Sequence, residues 1–116
     1  MTLYDTILAR RSVRRYARRS VPVEMLGAIR DFAQRIEPLQ PDVAFTYSVL
    51  PVSQGDEITA AMGGYGRVVS APNVIVPLIA DSPHALVDFG FRTQQLVILL
   101  TQLGLGSCWI GALVRE

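Results

Sequence analysis

The stretch that most constrains this chain runs from Asp88 to Ala112, DFGFRTQQLVILLTQLGLGSCWIGA, where an apolar helical pattern passes through glycines into an apolar strand. On a 3.6-residue period Leu86, Phe89, Leu96, Leu100 and Leu103 fall on one stripe, with Thr93 the only polar residue among them, which predicts a buried helix face. The opposite face carries Gln94, Gln95, Thr101 and Gln102 around Ile98, with no charge after Arg92. A helix facing water is rarely so free of charge, so this face is expected to be covered as well. Gly104 supplies the left-handed residue that often follows a helix C-terminus, and Gly106 leaves room for a second tight turn. From Ser107 to Val114 apolar residues occupy both alternating sets, Cys108, Ile110, Ala112 and Val114 against Trp109, Gly111 and Leu113. That pattern suits a strand inside a layered sheet.

Upstream, Thr2 and Asp5 form a capping pair for a short helix in which Leu3, Ile7 and Leu8 share a face. Val23 to Ile36 is an amphipathic helix whose stripe is Met25, Leu26, Ile29, Phe32, Ala33 and Ile36, with Asp31 and Arg35 paired outside and Pro38 and Pro41 beyond it. Val43 to Leu50 alternates as a strand with one wetter face, and Pro51 ends it. Asn73 to Ala80 is a second strand, in which Pro77 predicts an edge or a bulge. Between them lie loop signals around a short helix at Glu57 to Met62. Gly63, Gly64 and Gly66 there match neither a Walker nor a dinucleotide fingerprint. Asp81 or Ser82 caps the long helix, with Pro83 in its first turn. The elements make a single α+β domain spanning residues 1–116, a length that supports a core without disulfides.

Charge narrows the function classes. The net charge is +1 and charged residues make up 18% of the chain, so no global field recruits nucleic acid or a membrane. Cys108 is alone, which excludes an intrachain disulfide and fits a reducing compartment, and no apolar run approaches a membrane span. The chain therefore reads as cytoplasmic. All 11 cationic residues are arginines, and Arg10, Arg11, Arg14, Arg15, Arg18 and Arg19 crowd one short segment.

Two geometries of RRSVRRYARR carry different chemistry. A continuous helix would stack Arg10, Arg14 and Arg18 into a basic stripe for nucleic acid or anionic lipid. An extended chain would set Arg10, Ser12 and Arg14 on one side, two guanidinium forks and a hydroxyl suited to a single phosphate. Ser12, Val13 and Tyr16 form helices poorly and like charges four apart repel, so the extended form is expected. The bare pattern equally suits a solvated loop. No residue stands out for acid-base, nucleophilic or metal chemistry: His84 reads as a solvated helix-start residue, Cys108 as a core thiol and Trp109 as filler, and the acids are scattered. No catalytic side chain and no metal ligand is assigned, and a borrowed cofactor is the natural route to enzymatic function.

The strings ILARRSVRRY, SAPNVIVPL and LGLGSCWIGAL, in that order and with a helix before the last, resemble the FMN-dependent nitroreductase family, nearest its "putative nitroreductase" branch, where IEPLQPD and a GYG turn are also similar. The resemblance implies a three-layer sandwich with a central mixed sheet flanked by helices. It also implies an FMN site in which Arg10, Ser12 and Arg14, with Arg11 beside them, hold the phosphate and flank the flavin, while the backbone of Ile110, Gly111 and Ala112 lies along the isoalloxazine. Hydride would pass from NAD(P)H through the flavin to a nitroaromatic, quinone or similar acceptor, in a homodimer built on the 86–103 helix. Family members run to roughly twice this length and the family's Ser-x-x-Asn and Gln-Pro-Trp stretch is absent, so the chain is expected to be an N-terminal half completed by a missing C-terminal segment or a partner chain. The rival expectations are a cofactor-free dimeric protein keeping the fold and an arginine-arm binder of nucleic acid or membrane.

Overall fold

The computed structural model describes residues 2–51 and 71–109. The predicted helix at 57–62, the glycines at 63, 64 and 66, and the strand beyond Trp109 lie outside those residues. Among the described residues three helices, α1 (Leu3–Ala9), α2 (Val23–Ala33) and α3 (Ala85–Gln102), accompany two strands, β1 (Phe45–Pro51) and β2 (Asn73–Ile79).

The strands pair antiparallel with Val49 opposite Ile75 and Tyr47 opposite Pro77. The Ala80 N–H donates to the Ala44 carbonyl at 3.0 Å. Rungs of an antiparallel ladder alternate, so Pro77 falls at a position whose missing N–H costs no bond to β1 and points to the outer side of β2. The expected edge character of Pro77 follows from that register. Phe45, Tyr47 and Val49 share one face of the sheet with Ile75, and there the core forms: Ile29 of α2 and Leu96 and Leu100 of α3 are buried, with Phe32, Ile36, Tyr47, Val49, Ile75, Leu99, Leu103 and Leu105 around them.

Several boundaries differ from expectation for identifiable reasons. α2 stops at Ala33, with Gln34 as its C-cap, so Arg35 lies past the helix and the Asp31–Arg35 pair is not formed. α3 is entered through His84, whose φ of 65° is left-handed and which makes no side-chain cap bond; neither Asp81 nor Ser82 is the cap. His84 itself is exposed, as expected. Leu86, expected on the buried stripe, is 77% exposed, while Ala85 and Asp88 take the buried positions of the first turn. In α1 the capping box of Thr2 and Asp5 is present. Its buried residue is Thr6, and the predicted apolar face of Leu3, Ile7 and Leu8 is open to solvent.

The centre of polar organisation is an ion pair that periodicity alone did not reveal. Asp88 is fully buried and meets Arg92, one turn on, at 2.6 Å. Its Oδ1 accepts from the Leu39 and Gln40 N–H groups at 2.9 and 2.8 Å. Arg92 donates to the Gln40 and Val43 carbonyls, each at 3.2 Å, and its guanidinium lies 5.3 Å from the centre of the Phe45 ring. Farther along α3, Gln95 donates to the Glu37 carbonyl at 2.7 Å and accepts from the Glu37 N–H. Thr93 shares a 2.9 Å hydrogen bond with the Tyr47 hydroxyl. Part of the helix face expected to be covered is therefore covered by the chain's own 37–43 segment. These bonds satisfy loop amides that burial would otherwise leave stranded.

Removing one partner of such a pair leaves an uncompensated buried charge, which costs about 3–5 kcal/mol. Asp88→Ala is therefore expected to lower the unfolding free energy by about that amount in urea titrations. A Asp88→Leu, Arg92→Leu double variant, which removes both charges, is expected to lose less than the single variant.

Candidate functional site

After α1 the chain leaves helical geometry at Arg10, whose φ and ψ of −64° and 132° are extended. It remains non-helical to Pro22, with a bend at Arg18 and Arg19. The basic stripe of a continuous helix is therefore not formed, and the extended reading of the arginine segment holds for its backbone.

This strap is fixed at two ends. At the far end the Asn73 side chain, at the start of β2, accepts from the Val21 N–H at 2.9 Å and from the Ser20 hydroxyl at 3.4 Å. At the near end Ser12 forms a parallel bridge with Ser107, and the Val13 N–H donates to the Ser107 carbonyl at 2.9 Å. Gly104, at φ 78°, turns the chain out of α3 as expected, and the Leu105 N–H closes the turn on the Leu100 carbonyl at 2.9 Å. Five residues later the chain has delivered Ser107, Cys108 and Trp109 to the strap. The expected second turn at Gly106 is not the reason for that glycine: its backbone is not left-handed, and Val13 packs onto it.

Of the residues expected at the site, Arg10 is half-buried, while Arg11, Ser12 and Arg14 are exposed. Neither the three arginines nor the serine is engaged in an ion pair or a side-chain hydrogen bond among the described residues. Ser12 stands at the bridge itself, with Arg10 two residues before it and Arg14 two residues after it along the strap. Ile110, Gly111 and Ala112 lie outside the described residues. The last described residue before them, Trp109, is 49% exposed and sets its ring edge-on to Phe89 with centroids 5.6 Å apart. Phe89 leads on to Phe45 at 6.0 Å and Phe45 to Tyr47 at 4.6 Å.

Tyr16 is a participant that sequence reasoning passed over. Burial pushes its phenol above the ordinary value of 10.0, the nearby Cys108 thiol adds to the rise and Arg14 opposes it. One side chain thus feels both the arginine strap and the residue after the bridge. Cys108 is half-buried, with its thiol 3.3 Å from the Trp109 carbonyl. Among the described residues no cluster of three or more His, Cys, Asp or Glu side chains is placed to hold a metal ion. No helix among them is long and apolar enough to cross a membrane.

The donor set defines what this arrangement can hold. Guanidinium groups and a hydroxyl offer hydrogen-bond donors with positive charge, and among the described residues no carboxylate pairs with them, the chemistry of a phosphate or carboxylate site.

Solved structures define the class. A nitroreductase family protein from Clostridium novyi NT superposes with a TM-score of 0.79 at 22% identity, covering 100% of this chain and 72% of that one. A protein named NADH dehydrogenase/NAD(P)H nitroreductase from Bacteroides thetaiotaomicron gives 0.75 at 23% identity over 94% of this chain and 67% of its own. A nitroreductase with bound FMN from Bacteroides fragilis gives 0.67 at 24% identity, with 93% and 68% covered. At those identities the likeness establishes the fold, which is that of the nitroreductases. The sequence adds the family: the model described as "Putative TM nitroreductase" matches residues 2–116, and the chain belongs to that family. A curated relative from Methanothermobacter thermautotrophicus, named as an NADH dehydrogenase/NAD(P)H nitroreductase, is 26% identical over 122 residues. This chain, aligned over its full extent, spans 64% of that relative's length.

Proposed function

We propose that this chain is the cofactor-gripping part of an FMN-dependent oxidoreductase that passes hydride from NAD(P)H to nitroaromatic, quinone or similar acceptors. The observation that carries the reading is the parallel bridge at Ser12 and Ser107, which holds the non-helical Arg-x-Ser-x-Arg strap against the chain leaving α3, three residues before Ile110 in sequence. The donor chemistry fits FMN. Arg10, Ser12 and Arg14 would hold the phosphate, with Arg11 alongside, and the 110–112 backbone would support the ring system. The family membership and the FMN-bound neighbour support the same reading. A bound flavin would supply the redox chemistry between nicotinamide and acceptor. The chain's own part is binding and orientation.

Magnitude bears on completeness. Charge-assisted hydrogen bonds contribute about 1.5–3 kcal/mol each, so three give about 4.5–9 kcal/mol before ordering costs of several kcal/mol, against the roughly 8 kcal/mol of net free energy in micromolar binding. FMN held by these residues alone binds weakly, and full activity calls on a further segment or a partner chain. A second copy of this chain is the partner we favour, in a cytoplasmic homodimer. On the outer face of α3, Val87 is 58% and Phe91 44% exposed, and Gln94, Ile98 and Thr101 continue that face without a charge. Exposed apolar area of this kind on a helix is a docking surface.

The arginines separate this reading from an arginine-arm binder. Arg10→Ala with Arg14→Ala is expected to abolish FMN binding in a flavin fluorescence titration, while Arg15→Ala, Arg18→Ala and Arg19→Ala together leave it within about threefold, which is under 1 kcal/mol. Unchanged FMN affinity in the double variant excludes the site, and absence of flavin binding by the parent chain favours the cofactor-free alternative. For assembly, light scattering is expected to give twice the chain mass for the parent and the single-chain mass for Phe91→Glu. A monomeric parent at high concentration contradicts the α3 interface.

A further inference from the structure

We infer that Gly106 and Val13 form a steric lock that positions the arginine strap, and that Gly106 is glycine for this contact. The inference rests on the flavin-site reading for its functional half and on geometry alone for its structural half. A Cβ built on Gly106 would lie 2.8 Å from the Val13 Cβ, 2.9 Å from its Cγ1 and 3.0 Å from its Cγ2. Carbon atoms do not pack that closely, since the attractive minimum lies near 3.5–4.0 Å. The clash has no cheap relief. Rotating the valine moves its methyl groups but leaves Cβ where the backbone puts it. Moving the backbone stretches the 2.9 Å bond from the Val13 N–H to the Ser107 carbonyl, which docks this end of the strap.

The neighbouring glycine shows that this is a property of the site. Gly104 has open space where its Cβ would stand and is required only by its φ of 78°. Gly106 has no such backbone requirement, and its demand is all contact. The two glycines of LGLGSC therefore do different work: Gly104 turns the chain out of α3, and Gly106 lets Val13 close onto it. Val13 lies between Ser12 and Arg14, so seating Val13 fixes where the hydroxyl and the second guanidinium emerge. Gly106 and Val13 are positioning residues that act on the phosphate through their neighbours. The other end of the strap, at Asn73, is eight residues downstream of Val13 and restrains these groups only loosely.

The test is a cycle of three variants, Gly106→Ala, Val13→Gly and the two combined, read in two ways. Hydrogen exchange at the residue 13 amide reports docking without flavin, and FMN affinity reports the site. In Gly106→Ala the amide is expected to lose protection, and FMN binding to weaken by roughly ten- to a hundredfold, the factor set by one charge-assisted hydrogen bond. The urea midpoint of the remainder of the chain is expected to move little, which separates positioning from general destabilisation. Combining Gly106→Ala with Val13→Gly removes all three clashing atoms and is expected to restore both amide protection and FMN affinity towards the values of Val13→Gly alone. Full protection and full affinity in Gly106→Ala overturn the lock, as does failure of the combined variant to recover either quantity. Loss and recovery of protection in a protein that binds no FMN would support the lock and refute the flavin reading, so the two fail separately.

Discussion

The contact between the arginine strap and the chain leaving α3 is the constraint on which the arrangement turns. A run of like-charged residues has no intrinsic reason to pack against anything, because mutual repulsion and hydration both favour leaving it in solvent. It is held here by backbone chemistry, through the Val13 N–H and the Ser107 carbonyl, and by an apolar residue set between charged ones that finds a glycine to rest on. The charges stay exposed on either side of that contact. What the contact fixes in advance is the backbone from which Ser12 and Arg14 emerge, which lowers the ordering cost that a bound anion would otherwise meet there.

α3 makes that contact possible by serving as a beam with polar pins along its length. Near its N-terminus Asp88 and Arg92 tie down the 37–43 segment, in its middle Thr93 meets the Tyr47 hydroxyl of β1, and at its C-terminus Gly104 redirects the chain to the strap. Each pin sets register between elements that the apolar core of Ile29, Leu96 and Leu100 would hold together without specifying how. Burial raises the Tyr47 phenol above its ordinary 10.0, opposed by its bond to Thr93 and by Arg92, so the phenol stays neutral and remains a hydrogen-bonding group.

Local signals were the ones the sequence displayed well. The long helix, its glycine stop, the two strands, the position of Pro77 and the failure of the arginine run to continue as a helix all follow from periodicity, turn chemistry and propensity. Partnership across the fold was hidden. Asp88 looks like an ordinary first-turn acid, and only tertiary structure shows that the Leu39 and Gln40 amides meet it. Leu86 belongs to the apolar stripe by angle, yet is exposed. Gly106 carries a correct prediction of necessity for a mistaken reason, because close approach and turn formation demand the same residue. For the candidate site, the residues of the strap were legible from charge and spacing. Its proximity to the chain at Ser107 came from family resemblance, and the expected strand from Ser107 onward is only a single bridge there before the sequence passes at Ile110 out of the described residues.

The central claim is that the strap grips a phosphate, and comparing FMN with riboflavin tests it most directly because the two differ only in that group. Titration of the flavin-free protein with each at moderate salt is expected to show FMN binding at least tenfold more tightly, the least that one charge-assisted hydrogen bond would contribute. Equal affinity for the two flavins would mean that the arginines and Ser12 hold nothing, and would contradict the account.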